Sequence, residues 1–169
     1  MSLADDGTST ARSLGEWLES LTFADLPEGE ATARIVDAIA KWADWQSWRV
    51  YRRAPSVFPL PPPLRGNSVL DVACARPGGS PIAIEVDRKD RQRTVDKLLA
   101  EAAAGRVAIW VRWGAGPFPP PPLPVHLVVV EAARRSGRWH TVSARPAPRH
   151  SGAAPGSATV HAEELPWET

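Results

Sequence analysis

Asp71, Glu85 and Asp87 are the residues of this chain whose types and spacing best suit chemistry. Glu85 and Asp87 stand one residue apart in IAIEVDRKDR (82–91), which otherwise reads as a buried strand, and Arg88, Lys89 and Arg91 follow at once. Side chains alternate along a strand, so Ile82, Ile84 and Val86 share one face while Ala83, Glu85 and Asp87 share the other. In the preceding apolar stretch, NSVLDVACAR (67–76), Leu70, Val72 and Cys74 form one face and Asp71, Ala73 and Ala75 the other. Matching apolar positions pairs Leu70 with Val86, Val72 with Ile84 and Cys74 with Ile82, because a one-residue slip would bury the wrong face. This register sets Asp71 opposite Glu85 and leaves Pro77-Gly78-Gly79 as a three-residue loop, whose glycines tolerate positive φ. Three carboxylates then converge on a face lined by alanines. Opposed Cβ atoms lie about 5 Å apart, and like charges that close destabilise the fold unless a cation separates them.

A hard divalent cation, Mg²⁺ or Mn²⁺, suits such a site: it takes oxygen ligands and needs only one or two carboxylates beside water and substrate phosphate. Bound metal activates water and stabilises a leaving oxygen. Arg88, Lys89, Arg91, Arg93 and Lys97 would then meet a phosphate backbone on either side of the reaction. The competing reading is structural, with Glu85 and Asp87 paired to nearby arginines at the edge of a sheet.

The charge distribution agrees with a polyanionic partner. Residues 1–47 carry three basic and nine acidic side chains, whereas residues 48–113 carry twelve basic and six acidic ones. The middle of the chain, where the carboxylates lie, is thus the part that attracts polyanions.

The elements that position these residues follow from periodicity. SLGEWLESL (13–21) has helical spacing, and a second helix runs from about Glu28 to about Asp44 with Ala31, Ile35, Ile39 and Trp42 inward. Trp42, Trp45 and Trp48 read as core and hinge packing rather than as a base-stacking platform. WRVYRR (48–53) reads as a strand, and APSVFPLPPPLRGN after it as an extended polyproline-II loop. Strands at 67–76 and 80–88 form the hairpin. A helix over about 90–104 closes at Gly105, and RVAIWVRW (106–113) is apolar on both faces, as a central strand should be. After the break GAGPFPPPPLP, strands at 125–132 and 137–143 complete the order α-α-β-β-β-α-β-β-β. The expected fold is α/β (α+β), a mixed β-sheet flanked by helices, in one domain over 1–143 with its core at about 28–132. Residues 144–169, rich in Pro, Ala and Gly, read as a C-terminal tail whose LPW docks back on the body.

Asp71, a turn, Glu85-Val86-Asp87, a helix and an apolar strand together resemble the PD-(D/E)XK nuclease superfamily over about residues 28–113. The resemblance implies a restriction-endonuclease-like α-β-β-β-α-β core and metal-dependent hydrolysis of phosphodiester bonds in nucleic acid, DNA above all. By position it makes Asp71 and Glu85 metal ligands for one or two Mg²⁺ ions. An acid on the first core helix, Glu28 or Glu30, would assist. The lysine of the family motif is replaced here by Asp87, so Lys89 or Lys97 would have to supply the cation. The resemblance also implies a possible homodimer. A relative that keeps the fold, loses cleavage and binds nucleic acid or a protein is the alternative.

Other chemistry is poorly served. Cys74 is the only cysteine, which excludes an internal disulfide and suits the cytoplasm. His126, His140, His150 and His161 lack zinc-ligand spacing. No Gly-rich phosphate loop with a Walker lysine and no serine nucleophile motif is present. Trp110 and Trp113 fall on opposite faces of their strand. One is able to reach the acidic cleft, although core packing is the simpler role. The opening MSLADDGTSTARS lacks the apolar core of a signal peptide, and no apolar run approaches the roughly 20 residues that cross a bilayer.

Overall fold

The computed structural model describes residues 2–142. The element order is α1 (Leu3–Leu18), α2 (Glu28–Trp45), β1 (Arg49–Pro59), β2 (Asn67–Ala75), β3 (Ile82–Asp87), α3 (Gln92–Ala103), β4 (Val107–Gly114), β5 (His126–Arg135) and β6 (Arg138–Thr141). The six strands form one mixed sheet in sequence order, antiparallel from β1 to β3, parallel from β3 to β5 and antiparallel again at β6. The expected fold class and element order hold. The tail at 144–169 lies outside the described residues, as do His150 and His161.

Two apolar layers hold the sheet. Leu14 and Leu18 of α1 and Ile35, Ile39 and Trp42 of α2 pack on Val72, Ile84, Ile109 and Val130. On the opposite face Val95 and Leu98 of α3 pack on Ala108 and Trp110. β4 is buried along its whole length, as its unbroken apolar sequence requires. The carboxylates share the α3 face, because their neighbours Ile84 and Val86 commit the other face to α1 and α2.

Several elements differ from expectation, each for a local reason. Helix α1 begins ten residues before the expected start, because Ser2 and Asp5 form a capping box that satisfies its first amides. β1 runs on to Pro59 through part of the segment expected to be a polyproline loop. It tolerates Pro55 and Pro59 because it is an edge strand, paired only with β2. Trp42 and Trp48 do pack edge to face with ring centroids 5.1 Å apart, but Trp45 is 77% exposed and belongs to no core. The β2–β3 loop spans 76–81 rather than three residues. Arg76 closes it from the side, its Nε donating to the Ser80 carbonyl at 2.7 Å while its other nitrogens bind Asp6 of α1.

The second proline-rich break has a geometric reason. β4 and β5 are parallel neighbours joined by residues 115–125 alone. Eleven residues in a helix would span about 16 Å, too little to return along a strand of eight residues, about 26 Å. An extended proline segment covers the distance with about 3.1 Å per residue. It crosses on the α3 face, where Val125 joins the Leu98–Trp110 layer. The β5–β6 hairpin turns at Ser136 and Gly137, both at positive φ as a two-residue turn demands. Among the described residues no helix is long and apolar enough to cross a membrane.

Candidate active site

The hairpin register is the one the apolar pattern requires: Val72 pairs with Ile84, Ala73 with Ala83 and Cys74 with Ile82. The ladder stops where the acids begin. Instead of a further rung, the Val86 amide donates to Asp71 Oδ2 at 2.8 Å, so β3 itself orients that carboxylate. Asp71, Glu85 to Lys89, Arg91, Thr94 and Lys97 line a cleft of about 290 Å³, with Glu28 and Thr32 at the start of α2 on its rim.

Glu85 is 5% exposed at the floor. Lys97 reaches in from α3, as one of the two placements considered for the missing cation: its Nζ donates to Glu85 Oε1 and, at 2.9 Å, to the Val69 carbonyl. Lys97 is itself only 13% exposed in its side chain, so the contact is sheltered, and it is an ion pair only once Glu85 gives up its proton. Burial pushes the Glu85 carboxyl up to about 8, and Asp71, within hydrogen-bonding reach, adds to the rise while Lys97 opposes it. Two acids are thus held against each other, and something positive, a proton or a cation, must be shared between them.

Asp87 behaves differently. Its Oδ2 accepts from Thr94 Oγ1 at 2.8 Å and from Trp110 Nε1 at 3.0 Å. It faces the cleft but is spent on orienting the first turn of α3. Among the described residues no group of three or more His, Cys, Asp or Glu side chains lies close enough to hold a metal ion. The oxygen donors that remain are Asp71 and Glu85, which fit the one or two carboxylates that Mg²⁺ commonly takes.

The basic residues divide as well. Lys89 is exposed at the rim, and Arg91 stands 3.7 Å from Asp87 with a largely exposed side chain. Arg88 binds Glu28 at 2.6 Å and lies over the Trp139 ring, so it ties α2 to β3 and β6. Glu28 is thereby held below the usual carboxylate range by the Arg88 guanidinium. Arg93 donates to the Pro59 carbonyl and Ser68 Oγ, both at 2.9 Å, and covers Phe58, so it anchors the β1–β2 connection.

Arg112 was not singled out from the sequence. It stands opposite Asp87 in the β3–β4 register, is 5% exposed, stacks on Trp110 and Phe118, and donates to the Arg88 carbonyl at 3.2 Å. An arginine inside an otherwise apolar central strand was the signal available for it. Of the other residues considered for chemistry, Cys74 is buried with its thiol pushed up to about 12, and His140 Nδ1 accepts from the Asp25 amide. Comparison with protein-family models, curated proteins and solved structures finds no match.

Proposed function

We propose that the chain is a metal-dependent nuclease of the PD-(D/E)XK type that hydrolyses phosphodiester bonds, with DNA as the first substrate to test. The observation that carries the proposal is the trio Asp71, Glu85 and Lys97, gathered from β2, β3 and α3 in one cleft with cations at its rim. Asp71 and Glu85 would hold Mg²⁺ or Mn²⁺, which when bound supplies an activated water and a Lewis acid at the phosphorus. Lys97 places a positive charge where negative charge develops on the attacked phosphoryl group, in a site largely screened from water. It thus takes the role of the motif lysine from a neighbouring helix. Asp87, in the place of that lysine, holds the first turn of α3 through Thr94 and so keeps Lys97 within reach. Lys89 and Arg91 meet the backbone phosphates. Arg88 and Arg93 act one step back, by fixing the walls. A lone reduced cysteine suits a cytoplasmic enzyme, and a homodimer would let two such clefts cut both strands of a duplex.

The test is cleavage of supercoiled plasmid and of single-stranded oligonucleotide in Mg²⁺ or Mn²⁺. Asp71→Asn, Glu85→Gln and Lys97→Met should each slow it about 100-fold or more. A wild-type protein that cuts neither substrate with either ion would refute the enzyme. A second reading, a non-catalytic module that binds nucleic acid or a protein with the same face, draws on two facts: Lys97 already satisfies Glu85, and Asp87 is committed to Thr94 and Trp110. Under it, Asp71→Asn should leave binding equal or tighter.

A further inference from the structure

The sheet surface beside the acid pair is open. Asp71, Ala73 and Ala75 of β2 lie on the face opposite to α2, and all three are only half-buried, so α3 does not close over them. The β1 positions on the same face are set by the register: Arg49 pairs with Ala75 and Tyr51 with Ala73. Both are exposed, Tyr51 to 45% although it is the only tyrosine of the chain. Their neighbours Val50 and Arg52 point the other way, Val50 to the core and Arg52 to Asp37 of α2 at 2.5 Å.

The next β1 position is Arg53, between the rungs Arg52–Val72 and Ala54–Leu70 and therefore level with Asp71. Its φ is +53°, a conformation that arginine adopts at a cost and glycine adopts freely. Arg53 is exposed, and neither it nor Arg49 forms an ion pair among the described residues. Strain held at an exposed residue that forms no ion pair among the described residues, level with a candidate catalytic acid, supports a functional reading of the strip. The three side chains thus offer charge, flat aromatic surface and charge along a floor of small residues that ends at Asp71.

The geometry points to this strip as the binding track for single-stranded nucleic acid. Arg49 and Arg53, four residues and so about 13 Å apart along β1, contact backbone phosphates on either side of an unpaired base that Tyr51 stacks, and the strand runs along β1 and β2 into the cleft. Single strand is favoured over duplex because a tyrosine lying on a shallow sheet stacks only a base that is already unpaired. This inference rests on the nuclease reading and narrows its substrate.

The experiment is fluorescence anisotropy of a labelled oligothymidylate of about 20 nucleotides, and of a duplex of equal length, in EDTA so that nothing is cut. Tyr51→Ala should weaken single-strand binding about fivefold or more, and Tyr51→Phe should restore it. Arg53→Gly should lower the slope of log affinity against log salt by about 0.7 while raising the melting temperature, since glycine relieves the strained φ. Arg135→Gln, at the far side of the sheet, serves as the control for lost charge. Unchanged affinity in Tyr51→Ala and Arg53→Gly, or tighter binding of the duplex than of the oligothymidylate by wild type, would overturn the track. Cleavage that still depends on Asp71 would then leave the nuclease standing without it.

Discussion

Asp71 and Glu85 form the residue pair on which the molecule turns, and their coupling has a measurable signature. Glu85, raised to about 8 by burial and by Asp71, keeps its proton in the folded chain over a pH range where the unfolded chain has lost it. The stability this supplies is complete below the unfolded value of about 4.5 and is lost as pH rises through about 8. Without added metal, denaturant melts of wild type and Glu85→Gln should therefore diverge between pH 4.5 and 8, the wild type losing more stability as pH rises. Parallel curves would place Glu85 in an ordinary environment. Lys97→Met leaves the acids without their cation and should cost about 2 kcal/mol at pH 8 and less at pH 5, where Glu85 is protonated. The acids and their facing positions were legible in the sequence because a period of two fixes which side chains share a face, whereas the choice between Lys89 and Lys97 was left open until the packing of α3 brought Lys97 to Glu85. The commitment of Asp87 was not legible: it depends on Thr94 of α3 and on Trp110 of the neighbouring strand β4, and only the assembled α3 layer decides it.

The joints between elements explain what sequence pattern missed. Sequence pattern found α2, α3 and all six strands, most plainly β2 to β4, where an apolar face is continuous. It missed the first ten residues of α1, where the apolar stripe is thin and the start is set by the Ser2–Asp5 capping box. It also stopped β1 too early, since proline is discounted in strands unless the strand is known to be an edge. Arg76 is the joint that ties α1 to the hairpin, binding Asp6 at 2.6 Å with 9% of its side chain exposed. Arg76→Met leaves Asp6 and the Ser80 carbonyl without their donor and should cost about 2–3 kcal/mol, measured by urea unfolding. A loss below about 0.5 kcal/mol would mean that α1 is held by its apolar face alone.

At the scale of the whole molecule the sheet places the acids and the cations of the cleft at one end, with the β1 strip running back from it along β2. The β1–β2 connection, the basic turn after β3 and the start of the β4–β5 crossover all lie at the carboxyl end of β3, around the cleft. β4, buried throughout, fixes the positions of Trp110 and Arg112 against β3. Truncation in the opposite layer tests how far the site depends on that frame. Leu14→Ala, in a fully buried position under β4 and β5, should cost about 3 kcal/mol while leaving the geometry of Asp71 and Glu85 intact. The central claim, that these two acids form a cation site, is tested most directly by Mn²⁺ binding to the whole protein through water-proton relaxation. Saturable binding in wild type that both Asp71→Asn and Glu85→Gln abolish is the expected result. No binding at millimolar Mn²⁺, or binding that survives both substitutions, would contradict it and leave the pair as a structural partner of Lys97.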